Sequence, residues 1–200
     1  SYDESLKALK DFSDEDLIML SDNDEIPNLS SDQFNKSQKD IKLFKQLFFY
    51  FKFNLLYDRM PWVGTKACKK KKLKSLSWLR NIKLKKYPFW RLDTLFSQTK
   101  QTNLDIIEDG GWHFTNLKTA EEMYEKFMNF GHHDEFRLSG LTVEKIRKKI
   151  KNREMFYDHF ADQSSTNKWR SDYKLKRYDL NLLPKHIIDN QKNYKEWIDN

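Results

Sequence analysis

The fold is decided by residues 16–27, which read DLIMLSDNDEIP. The short apolar run from Leu17 to Leu20, bounded by acidic residues, is typical of a buried strand in an α/β sheet. Pro27 and Asn28 then break the chain. The acidic loop therefore follows the C-terminal end of a strand, which is where open α/β sheets bind their ligands.

Two carboxylates of this loop, Asp22 and Asp24, are the first candidate site residues. Because they are two residues apart in a turn, both can face one hard cation while substrate phosphates complete its shell. Mg²⁺ and Mn²⁺ prefer such oxygen ligands. The alternative is a solvated acidic turn without a ligand.

A second candidate site is the segment from Asp109 to Phe114, DGGWHF, between two predicted short strands, 104–107 and 112–114. The glycines permit a tight turn or the close approach of a ligand. Trp112 can stack on a sugar or a base, and His113 can bind a metal or a phosphate. The alternative is a hairpin with a core tryptophan and a hydrogen-bonded buried histidine.

The remaining pattern predicts one α/β domain over residues 1–200. Alternating Phe49, Phe51 and Phe53 indicate a half-buried strand. Thr119 and Glu122 have the spacing of a capping box and open the clearest helix. Other predicted elements are short helices at 30–38 and 76–82, a strand near 62–73, a helix over 142–153 and a helix after Pro184.

The net charge of the chain favours some classes of partner but does not identify one. The 200 residues carry a net charge of +7, with a basic run over Lys69–Lys72, which favours anionic partners. A basic nucleic-acid-binding module is therefore an alternative function, although the acidic loop has no role in it. The lone Cys68 excludes an internal disulfide. The sequence also contains no run of about 20 apolar residues, the length that spans a bilayer.

Three segments together resemble glycosyltransferase family 17. Residues 21–28, SDNDEIPN, resemble the family motif SDxDEIPN, and 62–66, WVGTK, resemble a segment further along. Residues 111–114, GWHF, resemble its second signature, which continues through a helix with Glu121 and Lys126 to a Phe-x-His turn, here Phe130-Gly131-His132. The order of these segments also agrees with the family.

The sequence departs from the family at three places. Lys118-Thr119 stand where the family usually has two glycines, and the His132 turn carries an extra residue. Family members also have a preceding segment with the first strands, so we expect this chain to be the C-terminal two-thirds of the family domain, incomplete at its N-terminus. An inactive relic of the fold is thus a further alternative. The compartment stays open between the cytoplasm and, if the parent chain carries an anchor, the Golgi lumen.

The resemblance implies a GT-A-like fold and the inverting transfer of N-acetylglucosamine from UDP-GlcNAc to a glycan, an N-glycan mannose in known members. It implies a divalent metal, Mn²⁺ or Mg²⁺, and no nucleic-acid partner. The implied roles are as follows: Asp22 and Asp24 as metal and donor ligands, His113 or His132 as a further metal ligand, Glu25 and Trp112 as donor-binding residues, and Glu121, or alternatively Asp109, as the base.

Overall fold

The structure, a computed structural model, describes residues 7, 9–129, 131, 133–162 and 165–200. The chain divides into two compact units. Unit 1 comprises Ser1–Leu47 and Pro61–His113, and unit 2 comprises Phe48–Met60 and Phe114–Asn200.

Strands and helices alternate along the chain, and the strands lie in two sheets flanked by helices, which confirms the predicted α/β class. The strands are β1 Leu17–Leu20, β2 Glu25–Pro27, β3 Ile41–Phe44, β4 Leu47–Tyr50, β5 Leu55–Leu56, β6 Lys66–Lys69, β7 Leu104–Ile107, β8 Gly111–Thr115 and β9 Lys176–Arg177. The helices are α1 Asp32–Lys36, α2 Leu76–Asn81, α3 Ala120–Met128, α4 His133–Leu138, α5 Val143–Lys151 and α6 Lys185–Asp189.

Unit 1 is built on a four-stranded sheet with the order β1-β6-β3-β7. β6 runs antiparallel to both β1 and β3, whereas β3 and β7 are parallel. One face packs Leu43 and Leu104 against Leu79 of α2, and the other packs Phe44 against Phe34 of α1. Burial on both faces explains why β3 is buried at all four positions.

The strand predicted at 16–21 is confirmed as β1, but it is not fully buried. Only Ile18 is buried among its four residues, because β1 pairs with β6 alone and stands at the end of the sheet. Its neighbour is also antiparallel, so the rule for strand ends of parallel sheets does not by itself place a ligand here.

The two strands predicted around Gly110 are both present, but they do not form a hairpin with each other. β7 pairs with β3, whereas the first three residues of β8 pair with β2. Gly110 joins them, and its backbone N–H donates to the carbonyl of Lys45 over 3.0 Å. The DGGWHF segment therefore lies beside the acidic loop, and β8 does not pair with β7, the strand that precedes it in the sequence.

Unit 2 contains α3–α6 and an aromatic core. The capping box predicted at Thr119 is confirmed: its hydroxyl accepts from the Glu122 N–H, and the Glu122 carboxylate accepts from the Thr119 N–H. Phe127, Phe136 and Trp169 are buried and pack ring against ring, with centroids 4.9–5.5 Å apart. Such pairs stabilise a core beyond the area they bury.

The predicted strand through Phe53 ends earlier than expected. β4 stops at Tyr50, because Phe51 adopts a left-handed backbone conformation with φ of 68°. This conformation breaks the alternation, and Phe51 is buried with its ring stacked on Phe156. Side-chain packing in unit 2 therefore overrides the local strand pattern.

The basic run Lys69–Lys72 is partly neutralised. Lys69 and Lys71 both form ion pairs with Glu15, and Lys71 and Lys69 lower the pKa of that carboxyl to about 2. Within the described residues, then, part of the run serves a contact inside unit 1. That this run favours anionic partners stays a prediction.

Candidate active site

Strands β2 and β8 bring the two predicted motifs side by side. In their antiparallel pairing Glu25 faces His113, Ile26 faces Trp112 and Pro27 faces Gly111. Gly111 has a φ of 111°, and a Cβ there would stand 2.2 Å from the carbonyl oxygen of Ile26. Only glycine lets the two backbones approach this closely.

The centre of the site is the carboxylate of Glu25, a residue that is only 6% exposed. Its Oε1 accepts from the indole N–H of Trp62 over 2.6 Å, and its Oε2 accepts from the backbone N–H of Asp22 over 3.0 Å. Oε2 also accepts from the hydroxyl of Thr65 over 3.1 Å, which in turn accepts from Gln46 over 3.1 Å. Hydrogen bonds of this kind offset the cost of burying a carboxylate.

The segment Trp62–Lys66 closes round Glu25 from the other side. A Cβ on Gly64 would lie 1.5 Å from Glu25 Oε1 and 2.4 Å from Trp62 Nε1, so no side chain fits there. The Trp62 ring stacks on His113 with centroids 4.4 Å apart and planes 11° apart. All three segments that resemble the family therefore meet at Glu25.

A cavity of about 150 Å³ opens beside this carboxylate. It is smaller than the roughly 300–1,000 Å³ of a typical ligand pocket, so it has room for part of a nucleotide sugar, such as a phosphate group. Its lining residues are Leu20, Asp22, Glu25, Trp62, Val63, Gly64, Lys66 and Arg80.

Two cations line the cavity. Arg80 donates to both oxygens of Asp22, over 3.1 and 3.3 Å. Lys66 is buried, donating to the carbonyls of Arg80 and of Ile82. Burial, with the nearby positive charge of Arg80, lowers the pKa of Lys66 to about 8. A strongly shifted lysine in a cavity is a recognised mark of functional sites.

A metal site would centre on Asp24 and His113. The Oδ1 atom of Asp24 lies 3.6 Å from Nδ1 of His113, and the imidazole is buried while the carboxylate is 38% exposed. Burial lowers the pKa of His113, opposed by the charges of Asp24, Glu25 and Asp22, which favours the neutral form that binds metals.

Asp24 and His113 together offer a metal ion one oxygen and one nitrogen ligand. In the part of the chain that the structure describes, no group of three or more histidine, cysteine or acidic side chains could hold a metal ion. A pair of protein ligands suits Mg²⁺ or Mn²⁺, which commonly bind through one or two carboxylates and substrate phosphates.

The remaining predicted residues are placed as follows. Trp112 is half-buried on β8 opposite Ile26, and Asp109 accepts from the side chain of Asn28 over 2.9 Å. Glu121 belongs to unit 2, at the start of α3, where it pairs with Arg147. His132, the second choice as a metal ligand, lies outside the described residues.

Glu25 was predicted to bind the donor, but both of its oxygens are engaged by groups of the chain itself. Arg80 and Lys66 were not predicted as site residues. Lys66 ends the WVGTK segment, but nothing local distinguishes it from the many other lysines. Arg80 lies on α2, 58 residues from its partner Asp22, so no short motif reveals it.

Comparison of the chain with protein-family models, with curated proteins and with solved structures finds no match. Within the described residues, no helix is long and apolar enough to cross a membrane.

Gly64→Ala tests the packing round Glu25. The new methyl group would displace the Glu25 carboxylate and break its bond to Trp62, so we expect the free energy of unfolding to fall by about 2–4 kcal/mol. Urea unfolding followed by circular dichroism measures the change. Gly131→Ala is the matched control, because a Cβ there meets nothing within 4 Å. Equal stability of the two variants would contradict the described packing.

The pH dependence of stability tests the burial of Lys66. Its pKa of about 8 lies below the ordinary 10.5, so between these pH values the unfolded chain binds more protons than the folded one. The contribution of Lys66 to stability therefore rises as the pH increases from about 8 to 10.5. Below that window it stays at its low value.

Lys66→Met should remove this rise. Urea unfolding at several pH values across the window should show wild type gaining stability relative to the variant as the pH increases. Lys36→Met, which removes an exposed lysine of α1, controls for the loss of one charge. A constant difference between wild type and Lys66→Met would show that the lysine is not buried as described.

Proposed function

We propose that the protein is a metal-dependent, inverting glycosyltransferase with a GT-A-like fold. Its donor is UDP-GlcNAc and its acceptor a glycan, by resemblance a mannose of an N-glycan. The observation that carries the proposal is the meeting of SDNDEIPN, WVGTK and GGWHF around one buried carboxylate, beside a cavity lined by residues of the first two segments.

The charges of the site suit a diphosphate leaving group. Transfer of the sugar leaves negative charge on the diphosphate oxygens, and fixed cations in a partly enclosed site stabilise that charge. Arg80 and Lys66 line the cavity with Asp22 and Glu25, so the two cations balance two carboxylates and a bound divalent ion would add the net positive charge. Asp24 and His113 would hold the divalent ion, which when bound supplies Lewis-acid stabilisation of the diphosphate.

Glu25 acts in this proposal as a positioning residue. Its bond to the Asp22 N–H fixes the turn that carries Asp22 and Asp24, and its bond to Trp62 fixes the ring that stacks on His113. The Arg80 guanidinium orients Asp22 through two hydrogen bonds. Asp22 therefore reaches the donor through Arg80 or water, and Asp24 is the direct ligand.

Inversion requires a base that accepts the proton of the acceptor hydroxyl. Glu121 is the first candidate. Hydrogen bonding to a backbone N–H, and then Arg147, lowers its pKa, which keeps the carboxylate ionised but makes it a weaker base. Asp109 is the alternative, on the loop before β8 in unit 1.

A donor assay with Asp24→Asn tests the proposal. Wild-type protein should release UDP from UDP-GlcNAc in the presence of Mn²⁺, and UDP with Mn²⁺ should raise its melting temperature. Asp24→Asn removes the ligand charge, so we expect a loss of activity of about a hundredfold or more, of the order seen when transition-state stabilisation is lost. Coupled UDP detection and thermal melts measure the two effects.

Asp32→Asn is the matched control, because Asp32 is an exposed carboxylate of α1 that pairs with Lys36. It should keep both activity and the response to UDP. No effect of UDP and Mn²⁺ on wild-type protein, or equal activity of the two variants, would contradict the proposal.

A second pair of variants decides which carboxylate is the base. Glu121→Gln should lower kcat by about 10²–10⁴-fold with little change in the affinity for UDP, because a general base acts on the chemical step. Asp109→Asn should change kcat by much less. The reverse order would assign the base to Asp109, and equal small effects would exclude both residues. Transfer to a mannose-containing acceptor, with UDP binding measured separately, gives the comparison.

A further inference from the structure

A loop in unit 1, residues 83–99, is closed at its base. The backbone N–H of Lys83 donates to the carbonyl of Thr99 over 2.9 Å, and the Trp78 indole donates to the carbonyl of Gln98 over 2.6 Å. Ile82, just before the loop, and Tyr87, within it, are buried. Both ends are thus held against the body of unit 1. We call this segment the 83–99 loop.

Large apolar side chains cover the outer surface of the 83–99 loop. Each is between 52% and 89% exposed, and Phe96 is the most exposed of them. Single exposed apolar residues are ordinary, but a group of them close together in one loop is typical of an interaction surface. The six are Leu84, Phe89, Trp90, Leu92, Leu95 and Phe96.

Internal contacts fix the conformation of the 83–99 loop. Asp93 accepts from Arg91 and from Lys100, each over 2.6 Å, and so ties the middle of the loop to its end. Backbone hydrogen bonds close successive turns from Pro88 to Leu95. The rings of Phe89 and Trp90 pack edge to face, 5.1 Å apart. The exposure is therefore a property of a structured loop.

The region carries more cations than acids. Lys83, Lys85, Lys86, Arg91 and Lys100 lie within residues 83–100, against the single acid Asp93. Arg91 and Lys100 pair with Asp93, and Lys86 pairs with Asp105. Exposed leucine, phenylalanine and tryptophan beside lysine and arginine are the composition of segments that bind at a membrane surface. The apolar side chains enter the head-group region there, and the cations meet anionic lipids.

We propose that the 83–99 loop docks this protein on an anionic lipid bilayer. Phe89, Trp90 and Phe96 insert among the lipid head groups, and the exposed Lys83 and Lys85 bind lipid phosphates. The loop then lies at the surface of the bilayer. This proposal stands apart from the transferase proposal, because it uses none of the residues of the candidate active site.

A lipid surface fits the loop better than two other occupants. Single-stranded nucleic acid stacks its bases on aromatic rings, but the aliphatic Leu92 and Leu95 have no role in such stacking. A second copy of the chain would have to bring a matching acidic surface to the lysines, whereas the chain as a whole carries a net charge of +7. An anionic bilayer supplies both the apolar and the negative partner.

Vesicle sedimentation tests the proposal. The unaltered protein should bind vesicles of phosphatidylcholine with phosphatidylserine, and bind more weakly to pure phosphatidylcholine or at high salt. The double variant Phe89→Ser/Trp90→Ser should lower the partition coefficient by about tenfold or more, because it removes the largest inserting side chains. Leu92→Ser/Leu95→Ser should act in the same direction.

Leu138→Ser/Phe160→Ser is the matched control, since it removes two apolar side chains that are 70% and 58% exposed in unit 2. It should leave binding unchanged, and thermal melts should show that all variants stay folded. The proposal is overturned if the unaltered protein does not bind the anionic vesicles, or if the loop variants bind as tightly as the control. It is equally overturned if the loop variants instead abolish a dimer in light scattering or binding to single-stranded RNA.

Discussion

Glu25 is almost fully removed from water, and a carboxylate in that position is costly unless its oxygens are hydrogen-bonded. Trp62, Thr65 and the backbone of Asp22 supply those bonds from two separate segments. Without one of these hydrogen-bond donors, the negative charge of Glu25 would be less well compensated. The conformation of the acidic turn and that of the Trp62 segment are therefore coupled through one side chain.

Other features of unit 1 follow from this constraint. Gly64 must lack a side chain because Glu25 and Trp62 occupy the space. The Trp62 indole, fixed at its N–H, lies flat on His113, which shields the imidazole from water. Asp24 is thereby set 3.6 Å from a buried histidine. Its neighbours Asp22 and Glu25 line the cavity together with Lys66 and Arg80. The proposed chemistry depends on charges that the fold has already placed.

Local patterns predicted the elements that depend on local interactions. The capping box at Thr119 forms within four residues, so its spacing was sufficient to predict the start of α3. The apolar run at 17–20 predicted β1, but it did not predict that β1 is an edge strand, antiparallel to its one neighbour β6. The left-handed Phe51 was missed because the packing of its ring on Phe156 in unit 2 decides it.

The candidate site was predictable in part for the same reason. The acidic turn and the GGWHF segment carry recognisable residues, and the structure pairs them as β2 and β8. The role of Glu25 was not predictable, because its donors Trp62 and Thr65 are about forty residues away. Arg80 and Lys66 likewise acquire their surroundings only when α2 packs on the sheet.

The most direct test of the account is a double-mutant cycle between Glu25 and Trp62. Stabilities of wild type, Glu25→Met, Trp62→Phe and the double variant give the coupling energy of the two side chains. A charge-assisted bond in a buried site predicts a coupling of about 1.5–3 kcal/mol, whereas Glu25→Met with Trp78→Phe, whose indole bonds to Gln98, should be additive. Additivity within about 0.5 kcal/mol for Glu25 and Trp62 would show that the carboxylate does not hold the site together.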